Sequence, residues 1–305
     1  MHRALYNYLI VFFLLMSWSP ILFAAESERY EQDSLARNSK EDHISIIQAM
    51  LEHESSRWYT IDKKKGFYLH LFKKQRQRAV KWTMEFAEMQ EYEHQTVAIA
   101  LNYLDRYLYE EFSQLDKKGF FELSAITALY IAAKLNEQIP IPITIAAELS
   151  SRTLYTVEEI EASEQKMLEA LEWRMNPPSA QIFAHYFVEM LPYFILEEED
   201  KKEFVRSIDA QLKMAPACEN LVTVKPSVLA YSAMRNALKN MFKIYELSNE
   251  FLEFGLHKIE DIIKSDTFIE QSGLAETALS KYSIFQCPNS PSDEQQTNRS
   301  HSYLL

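Results

Sequence analysis

The chain has 305 residues, enough for two domains of about 100–150 residues each. Its apolar fraction of 47% and charged fraction of 25% are those of a globular protein and exclude wholesale disorder. A net charge of −12 argues against a general nucleic-acid binder, which needs cations to displace counterions. Glycine occurs only four times, at Gly66, Gly119, Gly255 and Gly273, too widely spaced for a phosphate-cradling loop. No Asn-Gly or Asp-Gly pair marks a hairpin. Leu, Ala, Glu, Met and Lys fill the long stretches, and these are good helix formers. The composition predicts an all-α protein.

Residues 1–25 form a leader. Arg3 precedes the apolar run Tyr8 to Met16, and small residues follow at Ala24 and Ala25. The pattern is that of a secretory signal or a marginal anchor, with a gene-model artefact as the alternative. Residues 26–40 are polar and aperiodic and read as a linker.

Helical patterning begins at Asp42. Ile44, Ile47 and Leu51 open a short amphipathic piece. Lys73 to about Gln90 carries Val80, Met84 and Ala87 on one stripe, and His94 to Glu110 carries Val97, Leu101, Leu104 and Leu108. Gly119 precedes a helix from Phe120 to about Glu137 that is apolar nearly all round, as a helix in the middle of a bundle should be. Pro140 and Pro142 end it. Thr144 starts a short helix, and Thr156 with Glu159 has the spacing of a capping box. Pro177-Pro178 marks a boundary. A second helical run follows at Ile182–Leu191, Lys202 to about Leu212, Pro226–Leu238 and Tyr245–Ile263, so two consecutive five-helix units would fill the length. The predicted division is 41–178, 179–270 and a mostly disordered tail over 271–305.

No catalytic constellation emerges. The eight histidines lack the paired helical spacing of a zinc hydrolase, and there is no Gly-x-Ser-x-Gly elbow. Cys218 has no local His partner, and Cys287 lies in the tail. The sequence predicts no metal, and binding rather than catalysis. Three charges sit where a bundle wants apolar side chains: Glu164 on its helix's apolar stripe, Lys134 after Ala132-Ala133, and Asp105 after Leu104. They are either solvent-edge groups or charges held for a partner.

At these residues the chain resembles the cyclin family. Asn102-Tyr-Leu-Asp-Arg-Tyr-Leu108 is similar to the second helix of the cyclin box, and Ala125-Ile-Thr-Ala-Leu-Tyr-Ile-Ala-Ala-Lys134 to the third. Tyr155-Thr156, Glu164 and Leu168-Glu-Ala-Leu-Glu-Trp173 resemble the fifth. The match runs from about Arg76 to Phe183, weakens toward 265, and is nearest in flavour to D-type and diatom-lineage cyclins. It implies two tandem five-helix cyclin folds, the second more divergent. Arg76, Asp105, Leu123, Lys134 and Glu164 stand at the positions that mark a cyclin box. The resemblance implies that Arg76 and Asp105 pair internally, that Leu123 belongs to the core, and that Lys134 and Glu164 face a kinase.

The resemblance further implies a regulatory subunit that binds and activates a cyclin-dependent serine/threonine kinase in cell-cycle control. It implies no chemistry or cofactor of the chain's own, with kinase substrates or inhibitors as further partners. It places the protein in the nucleus or cytoplasm. A transcription adaptor with this fold, working without a kinase, is the alternative. A secreted or membrane-anchored helical protein is a further alternative if the leader is real, with membrane contact only if residues 1–25 are retained as an anchor.

The family's apolar substrate-docking patch is degraded here. Its positions hold Gln75, Arg78, Ala79, Trp82 and Glu85, with Gln75 and Arg78 where apolar residues are expected. The surrounding stretch from Lys63 to Lys81 contains no acidic residue, which suggests a solvated face, an import signal or an anion-docking surface. In the tail, Ser290-Pro291 is a minimal proline-directed phosphorylation site. Arg235-Asn-Ala-Leu238 has the spacing of a destruction box but falls in a predicted helix.

Overall fold

A computed structural model describes residues 41–55, 72–115, 117, 119–149, 155–191, 198–244, 256–257, 259–263 and 266–283. The leader, the linker, Lys63 to Lys65, most of the predicted helix Tyr245–Ile263, Cys287 and Ser290 lie outside these residues. The described residues form helices joined by turns and contain no strand. None of the described helices is long and apolar enough to cross a membrane.

A helix over 41–55, α1, comes first. It is followed by α2 (Lys73–Met89), α3 (His94–Glu110), α4 (Phe120–Asn136), α5 (Ile143–Glu148) and α6 (Val157–Ala170). Helix α4 is the centre of this bundle and packs against α2, α3, α5 and α6. Every residue from Ser124 to Ala133 is buried, because neighbours cover α4 on all sides and a polar face would have no water to meet. Its start is set by Gly119, whose φ of +83° is the left-handed conformation that a side chain disfavours. The Tyr155 hydroxyl donates to the Gly119 carbonyl at 3.2 Å, and a Cβ on Gly119 would stand 3.3 Å from that oxygen.

Helix α6 begins with the complete capping box. The Thr156 hydroxyl accepts from the Glu159 amide at 3.2 Å, and the Glu159 carboxylate accepts from the Thr156 amide at 2.8 Å.

The second run comprises α7 (Ala180–Met190), α8 (Glu198–Met214), α9 (Pro226–Ile244) and α10 (Asp266–Leu279), with residues 259–263 also helical. Here α9 is central and packs against α7, α8 and α10. Its neighbours are joined to it by polar side chains as well as apolar ones. Asn236 donates to the Gln211 side chain and to the Glu276 carbonyl, both at 3.0 Å. Gln211 donates to the Ala233 carbonyl at 2.9 Å.

Helix α10 runs across residue 270, where the predicted tail begins. Ala275 and Leu279 are fully buried, and the Glu276 carboxylate accepts from Arg235 at 2.9 Å and from Lys239 at 2.7 Å. Its buried positions include Ser272 and Glu276, so its stripe looks too polar for a core helix until its partners on α9 are known. The destruction-box-like Arg235 to Leu238 is one turn of α9, with Leu238 fully buried.

Candidate partner-binding site

Two ion pairs bring together four of the residues singled out in the sequence. The first is internal. Arg76, on α2, reaches Asp105, on α3, through Nε at 2.9 and 3.1 Å and through Nη2 at 2.8 Å. Both residues are buried. This two-nitrogen grip suits the planar guanidinium and fixes the mutual rotation of the two helices. The remaining nitrogen, Nη1, donates to the Pro216 carbonyl at 3.0 Å, so the same side chain ties α2 to the α8–α9 connection. Lys73 with Glu219, and Lys213 with Glu88 at 2.5 Å, add two further links between α2 and the second run. The Lys213 ammonium holds the Glu88 carboxyl below its usual range.

The second pair faces solvent. Lys134, at the end of α4, lies 3.0 Å from the Glu164 carboxylate on α6. The Lys134 side chain is 51% exposed and that of Glu164 is 15% exposed. The hydrogen bond to Glu164 raises the Lys134 pKa, which keeps the amine charged. The ammonium also sits 5.5 Å from the centre of the Tyr130 ring.

Backbone and buried side chains hold this pair in place. One residue before Glu164, the Ser163 hydroxyl accepts from Thr127 on α4 at 2.8 Å, in a buried contact that locks α6 against α4. Thr127 and Lys134 are seven residues apart and therefore share one face of α4. After α4 ends, the Glu137 carboxylate accepts from the Glu93 amide at 3.1 Å and from the Thr96 hydroxyl, fastening the turn to the start of α3. The Tyr92 hydroxyl donates to the Ile139 carbonyl at 3.0 Å and holds the next stretch.

Sequence reasoning missed the exposed apolar residues that follow Lys134 in the chain. Leu135, Ile139 and Ile145 are exposed, Ile139 at 81%. They lie on the continuous segment from the end of α4 through α5. The available signal was that this apolar density continues past the charged end of a buried helix, which a bundle interior alone does not require.

The other expected positions fall as follows. Leu123 is partly buried and packs on the first bundle's core. On α2, Gln75, Arg78 and Glu85 are exposed, Ala79 is buried, and Trp82 is half-buried with its ring stacked 6.0 Å from that of Phe86. Glu85 pairs with Lys81 at 3.6 Å. The five positions therefore do not form an apolar groove. Among the described residues, no group of three His, Cys, Asp or Glu could hold a metal ion.

Comparison with known proteins adds the relationship. Residues 45–176 match the family model described as the cyclin N-terminal domain. Cyclin-D3-3 of Arabidopsis thaliana is 25% identical over 167 residues, which are 54% of this chain and 45% of that protein. The G1/S-specific cyclin-D1 of Xenopus laevis is 25% identical over 224 residues, which are 72% of each chain. The chain thus spans less than half the length of the plant relative. A viral cyclin from herpesvirus saimiri superposes with a TM-score of 0.46 at 18% identity, over 66% of this chain and 86% of that one. The matched span contains the Arg76–Asp105 and Lys134–Glu164 pairs, and this part of the chain is a cyclin box.

Proposed function

We propose that this protein is the regulatory subunit of a cyclin-dependent protein kinase in cell-cycle control, and that it docks the kinase through Lys134 and Glu164. The observation that carries this reading is the solvent-facing ion pair between α4 and α6, followed along the chain by exposed Leu135, Ile139 and Ile145. An ammonium with donors to spare and a carboxylate with a second oxygen suit the carbonyls and amides of another chain's backbone. The apolar neighbours supply the desolvated area that such an interface needs, on the order of 2,000 Å². The subunit performs no bond chemistry. It activates by binding the kinase's active arrangement more tightly than the inactive one, and that difference in affinity sets the size of the effect.

The test is co-purification and kinase activation with Lys134→Ala and Glu164→Ala. Truncating either partner strands the other charge in the interface, at a cost of about 3–5 kcal/mol if it is desolvated there. Binding should fall by about 100-fold or more. Ile139→Asp should weaken it independently. Undiminished binding and activation by both charge variants would remove these residues from the docking face.

A further inference from the structure

We infer that the cleft between the first bundle and the second helical run is a binding site for a small neutral cyclic amide, whose N–H and C=O pair with the carboxamide of Gln181.

A cavity of about 120 Å³ opens there, between α3, the connection leading into α7, the end of α8 and the start of α9. Ile99 and Leu101 of α3, Leu212 of α8 and Leu229 of α9 give it hydrocarbon walls. Pro177, Pro178, Pro216 and Pro226 also line it. Proline fixes its own φ and carries no N–H, so these four stiffen the walls and offer no backbone donor. Two of the charged groups in the lining are already committed. Arg76 and Asp105 grip each other, and Arg76 donates to the Pro216 carbonyl. Lys225, half-buried in the lining, disfavours a cationic occupant.

Gln181, the second residue of α7, stands apart from these. Its Oε1 is buried and accepts no hydrogen bond from any described residue. A buried acceptor in that state is costly, and native folds supply most such atoms with a partner. Water is a poor one here. The volume corresponds to about four waters, and each needs two to four polar partners that walls of Ile, Leu and Pro do not provide. A cavity of about 150 Å³ takes one benzene ring. One six-membered ring therefore suits this smaller cleft, with an edge left in its open mouth.

The carboxamide selects the chemistry of that ring. It presents an acceptor beside a donor, so the complementary edge is a donor beside an acceptor. A cyclic amide has that edge, and it matches either rotation of the Gln181 side chain. The rest of the ring is best hydrocarbon, because the walls are. A pyrimidine base is a poorer occupant, since its further ring nitrogen and carbonyl would face apolar side chains.

This inference stands apart from the kinase-subunit reading. The experiment is saturation-transfer NMR on the full chain with 2-pyridone as the probe. Saturable binding is expected, with a Kd on the order of 1 mM for so small a ligand. 1-Methyl-2-pyridone, which has lost only the N–H, should bind at least about tenfold more weakly. Gln181→Leu should abolish that preference with an unchanged circular dichroism spectrum. Ala98→Met, which fills the cavity from α3 and leaves Gln181 in place, should abolish binding. Lys134→Ala should leave it unaltered. The proposal is overturned by absence of saturable binding, by equal binding of the methylated probe, or by a preference that survives Gln181→Leu. Tighter binding of uracil than of 2-pyridone, or sensitivity to Lys134→Ala, would overturn it too.

Discussion

Arg76 satisfies three acceptor atoms at once, two on Asp105 and one on Pro216. Removing it strands a buried carboxylate. Arg76→Ala should lower stability by about 3–5 kcal/mol in chemical denaturation, and a loss below about 1 kcal/mol would show that water reaches Asp105. Glu54 behaves differently. It is 2% exposed, and its carboxylate accepts from the Ser227 amide at 2.7 Å and from the Ser227 hydroxyl at 2.6 Å, so α1 caps the start of α9. Glu54→Ala leaves both groups unbonded in a buried site and should cost about 1–3 kcal/mol. Burial pushes the Glu54 carboxyl above its ordinary value of 4.5, more than the Ser227 bonds pull it down. The folded state therefore holds this proton more tightly than the unfolded one. Its contribution is fully present below about pH 4.5 and is lost as pH rises through the folded pKa. Glu54→Gln keeps an acceptor and a donor without the charge, so its stability relative to the unmodified chain should improve with rising pH. Parallel pH profiles would contradict this. Asp105, Lys134 and Glu164 were legible in the sequence because a charge interrupting an apolar stripe is conspicuous. Glu54 was not, because its partner is 173 residues away and nothing local marks it.

Single helices were read from two kinds of signal. The first bundle displayed both. Its apolar stripes are long and its punctuation is explicit: Gly119 before α4, the proline pairs, and Thr156 with Glu159 at the start of α6. Thr156→Ala should destabilise the protein by about 1 kcal/mol, and Thr156→Ser should restore most of that loss. An alanine variant as stable as the parent would mean that Tyr155 alone fixes this end of the helix. The second run displayed the signals less clearly. The core of α9 includes Ser232 and Asn236, and α10 buries Glu276. Such residues look like surface until α8, α9 and α10 are brought together, where Ser232 donates to the Ser272 carbonyl, Asn236 donates to Gln211, and Glu276 accepts from Arg235 and Lys239. Periodicity records burial only where burial is apolar, which is why the pattern alone does not predict the helix Asp266–Leu279.

For the molecule as a whole, α10 is part of the framework. Ending the chain at 270 removes buried Ala275 and Leu279 and strips Arg235 and Lys239 of their shared carboxylate. Such a truncation should lose several kcal/mol, since each large buried side chain contributes about 1.5–3 kcal/mol. Thermal unfolding by circular dichroism would show it, and an unshifted midpoint would return α10 to the tail. The clasp between Glu54 and Ser227 also carries a temporal consequence. At about 5–20 residues per second, a ribosome needs about 9–35 s to deliver Ser227 after Glu54. Throughout that interval the Glu54 carboxylate is without the backbone amide that it caps in the folded chain.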